Sequence, residues 1–192
     1  MPPGPESHQN PHNDSIPTGD PLACGLPRVL FHSPLPKRLG VVPAWYDLNV
    51  KLVDIEPGDP RLGRDVLPVL CELRTELTRE LFAAVYEEGH RQGLRYLAAY
   101  DGQRCVGVAG WRVVANTAAI KKLYVDDLVT AASERSRGVG AALLTELAQR
   151  ATALGCRLLD LDSGVQRADA HRFYMREGLT ITSFHFTRRV SL

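Results

Sequence analysis

Apolar residues change their spacing several times along the chain, and each change predicts an element. Val50–Ile55 reads as a first strand, ended by Pro57, Gly58 and Pro60. Leu67, Leu70, Leu73, Leu77 and Leu81 then recur at spacings of three and four, with Phe82 and Val85 extending the face. This predicts one or two helices over about 62–90, closed by Gly89 and Gly93. Leu94–Tyr100 and Arg104–Val114 are strand-like runs around Asp101-Gly102, a dipeptide suited to the positive φ angles of a type I′ hairpin, so they should pair antiparallel. Lys121–Thr130 predicts another strand, followed by a polar turn from Ala131 to Arg137. The next helix carries one stripe made of Leu143, Leu144, Leu147, Ala148, Ala151 and Leu154, with Gly155 as its C-terminal cap. Cys156–Asp162 predicts a short strand, Asp169–Glu177 a helix stopped by Gly178, and Leu179–Thr187 a last strand with a bulge or bend between Ile181 and Phe184. This order implies a mixed sheet with helices packed on it.

Ten of the 13 prolines fall in residues 1–43, where fixed φ and missing N–H groups oppose helix and sheet. Residues 1–44 are therefore expected to be a disordered, Pro-rich leader, and residues 45–192 a single domain. A chain of 192 residues is long enough for a self-sufficient core. The formal net charge of +1 gives no general attraction to nucleic acid or anionic membranes. No apolar run approaches the roughly 20 residues of a membrane span, and the N-terminus lacks a secretory signal pattern. Cys24, Cys71, Cys105 and Cys156 form neither a CxxC pair nor a disulfide framework, and read as free thiols in a reducing compartment, with the cytoplasm as the default location. No His/Cys/Asp/Glu spacing resembles a zinc site, so no metal is expected.

The densest chemistry lies where the strand ending at Thr130 runs into a glycine turn and a helix. Gly138 and Gly140 leave room for a ligand to approach the backbone, and unpaired N–H groups of the turn and helix start point at any anion there. Arg135 and Arg137 add charge, which makes this a phosphate cradle. It lacks the Gly-Lys-Ser/Thr ending of a Walker A loop and the spacing of the three-glycine dinucleotide fingerprint.

Arg135-Ser-Arg-Gly-Val-Gly140 resembles the Arg/Gln-x-x-Gly-x-Gly/Ala hallmark of the GNAT superfamily of acyl-coenzyme A N-acyltransferases. Ala170-His-Arg-Phe-Tyr-Met-Arg-Glu-Gly178 resembles that family's later Ala-x-x-Phe-Tyr-x-x-x-Gly helix. The stretch from Asp162 to Gly178 is similar to the aminoalkylphosphonate N-acetyltransferase branch. The resemblance spans about residues 48–190. It implies an α+β (mixed α/β) fold with a mostly antiparallel twisted sheet of six to seven strands and helices on both faces. It also implies acetyl-CoA as co-substrate and direct transfer of its acetyl group to an amine.

The resemblance assigns the coenzyme diphosphate to the turn of Arg135, Ser136, Arg137, Gly138, Val139, Gly140 and Ala141. It assigns the pantetheine arm and thioester carbonyl to backbone groups of Leu128, Val129 and Thr130. Tyr174 matches the family's general acid, protonated at neutral pH and able to supply the departing thiolate. Deprotonating the amine calls for a carboxylate, and Asp126 and Asp127 are the candidates, with a solvated strand-end pair as the other reading. Consecutive strand residues face opposite sides, so only one can face the pocket unless the strand is bulged. His171, Arg167 and His185 are weaker candidates. His171 reads as a solvated helix residue, Arg167 stands where many relatives have Asn, and His185 falls on an exposed face.

The expected function is acetyl transfer from acetyl-CoA to the primary amine of a small molecule. A protein or peptide acetyltransferase and a non-catalytic acyl-CoA sensor are the alternatives. The edge of a final strand often pairs in this family, which would make the chain a homodimer.

Overall fold

The computed structural model describes residues 50–190. The expected leader 1–44 and Cys24 lie outside the described residues. The elements are β1 (Val50–Ile55), a π-helical turn (Leu62–Val66) continuing into α1 (Leu67–Cys71), α2 (Arg79–Arg91), β2 (Arg95–Asp101), β3 (Arg104–Val114), β4 (Lys122–Thr130), α3 (Val139–Ala153), β5 (Leu158–Leu161) and α4 (Ala168–Arg176). The five strands stand in chain order, β1 to β4 antiparallel and β4 to β5 parallel.

The leucine-rich stretch is two helices because Thr78 starts a new one. Its backbone is extended, and its Oγ1 accepts from the Leu81 N–H at 3.2 Å. At the hairpin, Asp101 pairs with Arg104 and the loop is Gly102-Gln103. Only Gly102 has positive φ, 59°, which is the pattern of a type II′ turn, one residue later than the expected I′.

Helices cover both faces of the sheet. Phe82, Tyr86, Val66 and Leu70 from the α1/α2 side bury against Ile55, Tyr96, Tyr100 and Val108. Leu143, Leu147 and Val139 of α3 bury against Leu97, Val106, Leu123 and Val125 on the opposite face. Each such large aliphatic side chain contributes about 1.5–3 kcal/mol when taken out of water.

Leu179–Thr187, expected as a last strand, form none, and among the described residues the sheet has five strands where six to seven were expected. Apolar alternation forms a strand only where a neighbouring edge takes its backbone bonds. Residues 179–190 form no ladder with β5, and Ile181, Phe184 and Phe186 stay exposed.

Candidate active site

Between β4 and α3 the chain makes a short 3-10 turn, Ala132–Glu134, then passes through two left-handed residues, Ser136 (φ 62°) and Gly138 (φ 89°). Gly138 caps α3 without a side chain, and the first bond of the helix runs from the Ala142 N–H to the Gly138 carbonyl at 2.9 Å. The N–H groups of Val139, Gly140 and Ala141 therefore leave the helix start unused, beside the positive end of its dipole. Gly140 has a second reason to be glycine. A Cβ there would lie 3.1 Å from Phe173 Cζ and 3.5 Å from Thr130 Oγ1, so α4 packs directly on the start of α3.

The arginines of this turn are held by acids. Glu134, 4% exposed, accepts from Arg104 at 2.6 Å and pairs with Arg137. Burial alone would raise the Glu134 carboxyl, but Arg104 and Arg137 hold it below the ordinary carboxylate value. Glu72, just past α1, accepts from the Ala132 N–H at 2.7 Å and stands 3.7 Å from Arg135. Arg135 and Arg137 themselves are more than half exposed.

On the other side of the turn, β4 pairs with β5 only from Lys122 to Val125, so the β5-facing edge of its later residues is open. The Ala131 N–H bonds to the Val106 carbonyl at 3.0 Å on the β3 side. Strand groups alternate in direction, which turns the backbone groups of Leu128 and Thr130 toward the opening and those of Val129 toward β3. This divides the expected trio: Leu128 and Thr130 offer backbone to a ligand, whereas Val129 is spent on the sheet.

Asp126 and Asp127 stand at a bulge. Gly110 of β3 lies opposite Asp127 and Trp111 opposite Val125, leaving Asp126 as the extra residue. Leu123 and Val125 pack on the α3 side, so Tyr124 and Asp126 face the other way. Past the bulge Leu128 packs on the α3 side and Val129 on the α1/α2 side, so Asp127 faces the same way as Asp126. Both carboxylates line one cleft of about 510 Å³ between β4 and α1/α2.

Their partners differ. Arg112 grips Asp126 in a fork, Nε to Oδ2 at 2.8 Å and Nη2 to Oδ1 at 2.7 Å. Asp127 Oδ1 accepts from Arg74 Nε at 2.8 Å, while its Oδ2 accepts no hydrogen bond from the described residues. Burial pushes the Asp127 carboxyl above its ordinary value, and the nearby Arg74 only partly offsets this. Asp127 thus combines a carboxyl raised above its ordinary value with an oxygen that no described residue occupies. Gly110 makes room for it, since a Cβ there would lie 3.3 Å from Asp127 Oδ2 and 2.9 Å from Tyr96 Cε1.

Tyr174 stands on α4 beside Phe173, ring centroids 5.4 Å apart, so the contact of Phe173 with Gly140 fixes it relative to the cradle. The helix ends one turn later, with Gly178 at φ 87° and the Leu179 N–H bonded to the Tyr174 carbonyl at 2.9 Å. Burial raises the Tyr174 hydroxyl above its ordinary value, and the positive charge of Arg167 partly opposes this. His171 spends a ring nitrogen on the Gly164 carbonyl at 3.0 Å, holding the loop before α4. His185 lies 3.1 Å from Asp162, which also accepts from the Tyr124 hydroxyl at 2.7 Å.

Glu72, Arg74, Arg112 and Glu134 were not singled out in the sequence. Glu134 had a signal, an acid three residues before Arg137; the other three are brought in from distant segments. Among the described residues no group of three His, Cys, Asp or Glu side chains is gathered to hold a metal, and no helix is long and apolar enough to cross a membrane.

A strand opened at one end leads through a left-handed glycine turn to an uncapped helix whose first N–H groups are open to an anionic ligand. The acetyltransferase (GNAT) family matches over residues 66–179, and the chain belongs to this family. It is an acetyltransferase that draws its acyl group from acetyl-CoA. The chain is 34% identical over 125 residues to the uncharacterized N-acetyltransferase YhdJ of Bacillus subtilis, covering 64% of this chain and 88% of that protein. It is 29% identical over 149 residues to the aminoalkylphosphonate N-acetyltransferase of Salmonella typhimurium, covering 67% and 96%. Among solved structures, an aminoglycoside N-acetyltransferase in complex with CoA shares the fold at TM-score 0.65 and 16% identity, over 74% of this chain and 95% of that one. Glucosamine-6-phosphate N-acetyltransferase from Arabidopsis thaliana does so at TM-score 0.60 and 18% identity, over 74% and 99%.

Proposed function

We propose that the chain moves the acetyl group of acetyl-CoA to the primary amine of a small molecule bound in the cleft between β4 and α1/α2. The observation that carries this reading is the β4 bulge, which turns Asp126 and Asp127 into one cleft and leaves Asp127 Oδ2 free there. The similarity to the Salmonella aminoalkylphosphonate enzyme supports a small amine as acceptor.

The N–H groups of Val139, Gly140 and Ala141 hold the diphosphate, with Ser136 and Gly138 shaping the turn and Arg135 and Arg137 at its side. The open backbone groups of Leu128 and Thr130 orient the pantetheine arm and thioester. Asp127 Oδ2 takes the proton of the bound ammonium. The freed nitrogen forms a bond to the thioester carbonyl carbon as the C–S bond breaks. The leaving sulfur takes the Tyr174 hydroxyl proton, the new amide nitrogen gives up its remaining extra proton to the Tyr174 oxygen, and Asp127 releases its proton to water to reset the site. Asp126, gripped by Arg112, holds that arginine in place and adds negative charge near the amine.

Thiol release from acetyl-CoA on addition of a primary amine tests the reading, with Asp127→Asn and Tyr174→Phe as paired variants. Both should bind coenzyme normally by calorimetry and lose turnover. Turnover as fast as wild type in both would overturn it.

A further inference from the structure

The long leucine stripe of the sequence is split by the structure into two faces. Phe82, Tyr86 and Gly89 of α2 turn into the core. Leu81 and Val85, four apart on α2, turn instead along the cleft that holds Asp126 and Asp127, next to Leu77, which lines the cleft and also packs on the core. Leu81 and Val85 are 49% and 45% exposed, so the core does not use them. With Leu73 they make one wall of the cleft apolar, opposite the charged wall of β4.

The charges of that second wall are matched in pairs. Arg74 is paired with Asp127 and Arg112 with Asp126, so each guanidinium charge on this wall is offset by a carboxylate. Glu76 at the same cleft has no cationic partner among the described residues, which leaves a small negative excess suited to one ammonium group. An acceptor that fits both walls carries its amine at one end and an apolar body at the other.

We infer that the acceptor is a primary amine on an alkyl or aryl body, whose apolar part lies on Leu73, Leu77, Leu81 and Val85 while its nitrogen faces Asp127. This rests on the cleft being the acceptor site, as proposed above. Strongly anionic acceptors such as aminoalkylphosphonates would find no uncompensated positive charge on that wall. Polycations would find a single net charge.

The test is thiol release by the full chain from acetyl-CoA with ethylamine, hexylamine, 2-phenylethylamine, 2-aminoethylphosphonate, spermidine and a lysine peptide, alongside coenzyme binding by calorimetry. Hexylamine and 2-phenylethylamine should exceed ethylamine and 2-aminoethylphosphonate by about tenfold or more in kcat/KM, since a few buried methylenes suffice for that factor. In the surface double variant Leu81→Ser/Val85→Ser, the ratio of kcat/KM for 2-phenylethylamine over ethylamine should fall about tenfold. Preference for 2-aminoethylphosphonate, spermidine or ethylamine would overturn this inference and leave small-amine acetylation standing, as would an unchanged ratio in the double variant. Preference for the lysine peptide would overturn both. Coenzyme binding without release to any acceptor would overturn the proposed amine transfer and this inference with it.

Discussion

Arg74, at the exit of α1, donates through Nε to Asp127 Oδ1 at 2.8 Å and reaches the Asp126 carbonyl through Nη2 at 3.1 Å. One arginine thus ties the apolar wall of the cleft to the bulge that carries both carboxylates, and it occupies only one oxygen of Asp127. The other oxygen is the one that can take a proton.

Asp127→Asn should lower kcat by about 100-fold or more, the usual contribution of a positioned general base, and Asp126→Asn should leave a larger share of kcat. The pH profile follows from the raised Asp127 value: the acidic limb of kcat falls at a pH above that of an ordinary aspartate. The sign for stability is opposite to that of a paired surface carboxylate. The folded value stands above the unfolded one, so ionised Asp127 weakens the fold at neutral pH, and this cost vanishes as pH falls through the raised value. Asp127→Asn should therefore lose activity without a fall in Tm at pH 7, read by thermal melts beside the kinetics.

Tyr174→Phe should lower kcat by about 100-fold with coenzyme affinity unchanged. Because burial raises the Tyr174 hydroxyl, the basic limb that reports its ionisation lies above pH 10, and kcat should stay flat up to there. A basic limb near neutral pH that survives Tyr174→Phe would point to another donor.

The two glycines of the cradle should fail in different ways. Gly138→Ala forces a side chain into φ 89° and should cost about 1–2 kcal/mol in denaturant melts, together with coenzyme affinity. Gly140→Ala drives a Cβ against Phe173, moving α4 and Tyr174, so kcat should fall further than its effect on melting suggests.

Glu134→Gln removes the charge that Arg104 and Arg137 share. The folded Glu134 value is held below the ordinary 4.5, so its stabilisation is full above that pH and is lost as pH falls through the lower folded value. The variant should melt earlier than wild type at pH 7 and converge with it in acid. Coenzyme binding should weaken as well, since Arg137 loses its anchor beside the turn.

Local pattern determined much of this protein. Strand-to-turn-to-helix order, the cap glycines and the Arg135–Gly140 and Ala170–Gly178 motifs are properties of neighbouring residues, and spacing alone carries them. The alternation of β4 also gave Asp126 and Asp127 as candidates. It could not place both in one cleft, because that depends on a bulge set by the register of β3 against β4. Nor could periodicity divide Leu81 and Val85 from Phe82 and Tyr86, since all lie on one broad apolar stripe until the sheet decides which edge it covers. Arg74, Arg112 and Glu72 meet their partners across long stretches of chain, and no local spacing records such contacts. The alternating segment after Gly178 shows the converse: strand pattern is local, but a strand exists only where another edge accepts its hydrogen bonds.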